Sequence, residues 1–234
     1  MKQKCVRQIS VILGLLVSIG GMSFTNKEKP CGHAHGGQFL RDMQPTSEQQ
    51  KIDIRYYGLN LDMDIATTSM EKAFVVKFVV VDTSLETIEL DYSTDNPGVG
   101  NVTVNLVILD GDTVAFTHTN DMLSIPLEST PVLNELMTLE IFAEAGPGSN
   151  QDNYGFNWDY EMGQRAIWTS SQPYNARDWW PSVDYPRDKA DSVDIVVTID
   201  DYMTVASNGR LVSKIDNGDG TKTWHWHVGH PIAT

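Results

Sequence analysis

The chain has 234 residues, with 17 Lys and Arg against 31 Asp and Glu, giving a formal net charge of −14. So negative a surface lacks the electrostatic footprint of a nucleic-acid binder and repels anionic membrane. The length suits one domain with a sizeable core, or at most two small ones, and two cysteines make no disulfide framework.

Residues 1–23 read as an export signal. Lys2, Lys4 and Arg7 form a basic start, Ile9–Ile19 a short apolar core, and Gly21, Met22 and Ser23 a small-residue end. The apolar run is too short for a comfortable membrane span. A secreted or periplasmic product is the expectation. Residues 24–50 are polar and irregular and read as a flexible leader. Cys31, His33 and His35 sit there with metal-ligand chemistry, but a glycine-rich tail supplies neither a fourth ligand nor a rigid frame, so no metal site is assigned.

From residue 51 a period of two takes over, and residues 51–234 read as one β domain. Leu59, Leu61, Met63 and Ile65 alternate with Asn60, Asp62 and Asp64, while Ile52, Ile54 and Tyr56 have the opposite parity. A bulge near Tyr57 and Gly58 would reconcile them. The run Ala73–Val81 is apolar at nearly every position and predicts a strand covered on both faces. Further strands are predicted over residues 85–92, 99–109, 113–117, 122–127 and 136–143, with Asp110-Gly111-Asp112 as a turn. No long helical period and no repeat stands out, so the fold class is all-β, a twisted sandwich.

Residues 144–164 break the rhythm and carry Tyr154, Phe156, Trp158 and Tyr160 at spacing two. They make either a hairpin with one packed aromatic face or an aromatic lip for a ligand such as a sugar. After residue 192, Val193, Ile195, Val197 and Ile199 mark another strand. Asp216–Gly220 then turns residues 209–215 back onto 221–228. The turn lacks the leading aspartate and closing glutamate of a calcium loop. In that last strand His225 and His227 share one face and Trp224 and Trp226 the other, and the histidines are read as solvent-facing.

The residues between Ser171 and Ser192 organise the rest. Pro173, Pro181 and Pro186 exclude helix and central strand, yet Trp179 and Trp180 demand burial. This is an ordered irregular loop, either a packed crossover or a functional loop.

The run Gln172 to Pro181, followed by Asp184, Pro186 and Lys189-Ala190-Asp191, resembles the N-terminal domain of the aminopeptidase N and leukotriene hydrolase family of zinc metallopeptidases. So do Ile52–Asp62, Ser207-Asn208-Gly209 and Pro231–Thr234. Ser182 and Tyr185 depart from the usual pattern. The resemblance covers residues 51–234 and implies a saddle-like β domain that caps a catalytic domain. It also implies that Gln172, from the central loop, meets the free amino group of a peptide substrate.

The family's zinc is held by His-Glu-x-x-His and a later Glu. None of the six histidines here begins that motif, and no Gly-x-Ser-x-Gly element replaces it. No catalytic residue, metal ligand or cofactor is therefore assigned to this chain, and zinc belongs to the family's catalytic domain. The expectation is the non-catalytic N-terminal domain of an exported zinc aminopeptidase, ending before the zinc site. The competing reading is a stand-alone secreted module that binds glycans or peptides.

Overall fold

A computed structural model describes residues 44–96, 98–148, 155–161, 164–171, 175–185 and 188–231, with backbone alone for Tyr160, Glu161 and Gln164. Residues 1–23, read above as an export signal, and Cys31, His33, His35 and Gln172 lie outside these residues.

Fourteen strands are described: β1 (Ile52–Asp64), β2 (Ser69–Val80), β3 (Thr87–Asp91), β4 (Asp95–Asn96), β5 (Gly100–Leu109), β6 (Asp112–Thr113), β7 (Thr117–Thr119), β8 (Met122–Pro126), β9 (Leu136–Ala145), β10 (Gly155–Glu161), β11 (Gln164–Ser170), β12 (Ser192–Asp200), β13 (Arg210–Asp216) and β14 (Thr221–Val228). The main sheet runs β13-β14-β12-β1-β2-β9-β5-β4, with β6 paired to β5. Three strands, β3-β8-β7, form a second sheet, and β10 and β11 form a hairpin. Neighbours in the main sheet are antiparallel except β1 and β12, which run parallel with Leu59 opposite Ile195. The all-β expectation holds.

The buried core joins these sheets. Leu59, Phe74, Val76, Leu139 and Ile141 from the main sheet pack with Ile88, Leu90, Leu123 and Ile125 from the second and with Phe156 and Trp158 from the hairpin. In β1 the expected change of parity is present, but the register shifts between Ile54 and Tyr56, at Arg55 rather than at Tyr57 and Gly58. That single extra residue turns both Ile54 and Tyr57 inward.

Two strand expectations need correction. β2 is not covered on both faces: Met70, Lys72, Phe74, Val76, Phe78 and Val80 are buried, while Ala73, Val75 and Val79 are half-exposed. In the ladder that second set lies beside Asn60, Gly58 and Asp53 of β1. The predicted strand at 113–117 is split, its ends joining different sheets as β6 and β7. The described residues also extend ahead of residue 51. Gln49, in the 3-10 turn Gln49–Lys51, is buried and donates to Asp91.

The open edge of the main sheet, β13, exposes Leu211, Val212 and Ile215. A bulge between Leu211 and Ser213 interrupts its ladder, and Arg210, Lys214 and Asp216 place charge along it. Bulge and charge both disfavour the addition of a further strand.

Candidate functional site: the pinned central loop

Residues 175–185 form no regular strand, so their polar backbone must be satisfied individually. A 3-10 turn, Ala176–Asp178, opens the segment. Asp91 and Ser182 exchange backbone hydrogen bonds at 2.8 and 3.0 Å, and the Ser93 amide donates to the Arg177 carbonyl at 2.9 Å. Within the core, the Tyr57 hydroxyl accepts from the Val183 amide at 3.0 Å.

Charge fixes the same segment. The Arg177 guanidinium reaches Asp91 Oδ1 and Asp184 Oδ2, each at 2.9 Å. Asp91 Oδ2 also accepts from Gln49 Nε2 at 2.9 Å and from the Asp184 amide at 3.1 Å. All three charged side chains are largely shielded, Asp184 down to 1% exposure. Burial pushes the Asp184 carboxyl above its ordinary range, and the Arg177 hydrogen bond and charge oppose that rise. Arg177 thus joins β3 to both ends of the loop.

The tryptophans supply the apolar anchor. Trp180 meets Tyr57 edge-on with ring centroids 4.5 Å apart, and Trp179 packs at 6.2 Å from Phe156. Trp179 Nε1 donates to Ser171 Oγ at 3.0 Å. The Ser171 carbonyl accepts from the Asn175 amide at 3.0 Å, which ties the two residues flanking 172–174 together. Ser171, Trp179 and Trp180 border a groove of about 1180 Å³ whose floor includes Leu59, Leu61, Val193 and Val197.

Lys72 lies beneath this loop and is 3% exposed. Its ammonium is 3.3 Å from the Trp179 carbonyl and 3.5 Å from the Tyr92 hydroxyl, with the Tyr92 ring centroid at 5.7 Å. Burial pulls its pKa down to about 7. The periodicity contained this residue, since 72 shares the buried parity of β2, but the general apolarity of the run concealed it.

The histidines of β14 are not simply solvent-facing. His225 Nε2 and His227 Nδ1 both lie 2.9 Å from Asp194 Oδ1, and the Tyr56 hydroxyl donates to Oδ2 at 3.0 Å. A carboxylate only accepts, so both rings present N–H to it. Burial works to raise the Asp194 carboxyl, but these hydrogen bonds outweigh it and hold the group below its usual range. A Cβ at Gly58 would stand 3.0 Å from the Tyr56 hydroxyl, so glycine leaves Tyr56 room to cross to Asp194.

A resident zinc does not fit the described residues. His118 is stacked on Tyr92 and bonded to its carbonyl, and His225 and His227 are held by Asp194. No three described His, Cys, Asp or Glu side chains form a metal-holding group. The aromatic segment behaves as a packed hairpin: Phe156 and Trp158 are 1% and 2% exposed and offer no face to a sugar. Tyr154 lies outside the described residues.

The fold and site define an all-β domain that presents a braced loop beside a groove. The profile of the Peptidase M1 N-terminal domain matches residues 53–234, and the chain belongs to that family. Solved structures share the fold at low identity. The M1 zinc metallopeptidase of Deinococcus radiodurans superposes with a TM-score of 0.61 at 18% identity, covering 76% of this chain and 39% of its own. Its mutant bound to a Tyr-Ser-Ala substrate gives 0.60 at 17%, with the same coverage. A two-domain M1 zinc metallopeptidase mutant bound to L-arginine gives 0.62 at 20%, again covering 76% and 39%. The matched part of the chain therefore spans only about two fifths of the length of these proteins. No curated protein matches it.

Proposed function

We propose that this chain is the non-catalytic N-terminal domain of an exported zinc-dependent aminopeptidase. In this reading it caps a catalytic domain that carries the zinc, and its central loop forms one wall of the peptide-binding cleft. The observation that carries the proposal is the bracing of residues 175–185 by Arg177, Asp91, Asp184 and Tyr57. So many constraints on an irregular segment hold its stem, Ser171 and Asn175, in one place. Gln172 follows Ser171 directly in the sequence. Its amide carbonyl suits the free ammonium of a peptide, accepting a hydrogen bond without the full attraction of a carboxylate.

The test joins residues 1–234 to the catalytic domain of an M1 relative and compares Gln172→Ala with the unaltered fusion. Loss of one hydrogen bond to a charged group, about 1.5–3 kcal/mol, predicts a roughly ten- to hundredfold fall in kcat/KM with an unchanged melting temperature. An early melt with normal efficiency per folded molecule would assign Gln172 a structural role instead. The chain alone is expected to show no chelator-sensitive hydrolysis of amino-acid anilides.

Export rests on the basic start and apolar run of residues 1–23. Expression with that segment intact should deliver a shortened protein outside the cytoplasm, and full-length protein retained inside would count against it. The proposed partners are the catalytic domain and the N-terminus of a peptide substrate.

A further inference from the structure

The geometry points to Lys72 as a proton-operated latch: an ammonium there loosens residues 175–185 from the sheet, and a neutral amine lets them seat. The amine is enclosed between β2, Tyr92 and the Trp179 carbonyl, and among the described residues no carboxylate pairs with it. Its contacts are neutral oxygens and one aromatic face, which compensate poorly for a buried charge. One of those oxygens is loop backbone. Lifting Trp179 is therefore a direct way to admit water to the amine.

The surrounding charged groups are already engaged. Arg177 is held by Asp91 and Asp184, and Asp178 accepts from Ser93. His118 stacks on the Tyr92 ring. Asp188 acts in the opposite sense: burial and then the Asp53 charge raise it to about 6, so proton uptake there favours the packed state. Burial lowers the Lys72 amine to about 7 in the seated loop, from the ordinary value of 10.5 that hydration restores. The seated loop thus binds fewer protons between those values, and seating strengthens as pH rises through that window.

The latch acts on the loop whatever ligand the loop meets, so its failure and that of the proposed cap function are separable. Hydrogen exchange of the amides of 175–185, corrected for intrinsic pH dependence, reads loop opening directly in the 234-residue chain. Opening should fall by about ten- to hundredfold from pH 6 to pH 9 in the wild type. In Lys72→Met, which fills the site without a titrating group, the loop should stay closed with no fall. If Lys72→Met does not fold, the Lys72 Cε resonance of the wild type decides, because its titration must run in step with the loop amides. A pH-independent loop, an equal pH response in Lys72→Met, or an amine that titrates apart from the loop would each overturn the proposal.

Discussion

Arg177→Met should destabilise the domain by about 3–5 kcal/mol, the usual cost of removing one partner from a buried charge network. The substitution keeps most of the aliphatic stem but takes the only described counter-charge from Asp91 and Asp184, which are 11% and 1% exposed at the side chain. The loss should depend on pH in a definite sense. Asp184 is already raised by burial, and without the guanidinium its folded-state pKa climbs further. A carboxyl raised on folding favours the folded state at low pH and loses that contribution as pH rises through the folded value. The gap between wild type and variant should therefore widen from pH 5 to pH 8 in urea denaturation. Adding Asp184→Asn should recover part of the loss, since the amide needs no counter-charge. An equal gap at both pH values would mean that Arg177 stabilises by packing alone.

Trp180→Ala should cost a comparable 3–5 kcal/mol, for a different reason. The ring is 4% exposed and meets both Tyr57 and Trp179. Its removal opens a void beneath the loop and along the groove floor. Trp180→Phe separates packing from polarity. Among the described residues Trp180 Nε1 is buried without a hydrogen-bond partner, so Phe keeps much of the apolar contact and discards that donor. Its cost should stay below about 1.5 kcal/mol. A thermal melt monitored by far-ultraviolet circular dichroism distinguishes the two. Similar losses for Ala and Phe would show that the indole, not aromatic bulk, seats the loop.

Strand periodicity was readable wherever one face is wet. Leu59, Leu61, Met63 and Ile65 are buried while Asp62 and Asp64 are exposed, as their alternation predicts. It was less readable where both faces are apolar in composition but only one is buried. In β2, Val75 and Val79 conceal the period by occupying half-exposed positions. The loop as an ordered element followed from its tryptophans and prolines. Its bracing did not, because Gln49, Asp91 and Arg177 are far apart in sequence and their pairing depends on β3 lying beside the loop. The same holds for Asp194 and His227, whose opposition is set by the register of β12 against β14. The residues of local spacing were found, and those joined by topology were not.

The parallel pairing of β1 with β12 has a consequence for the order of assembly. Strands β1, β2, β9 and β5 form an antiparallel set that precedes β12 in the chain, whereas Tyr56 meets Asp194 across 138 residues. Closing so long a loop is entropically costly before any contact rewards it, and folds rich in such pairings acquire their structure slowly. During synthesis β1 must wait with one edge open until β12 emerges. For that interval a backbone ladder is available to any other extended chain. A holdase chaperone that shields this edge should raise the yield of soluble protein, and that gain should disappear once β12 has paired with β1.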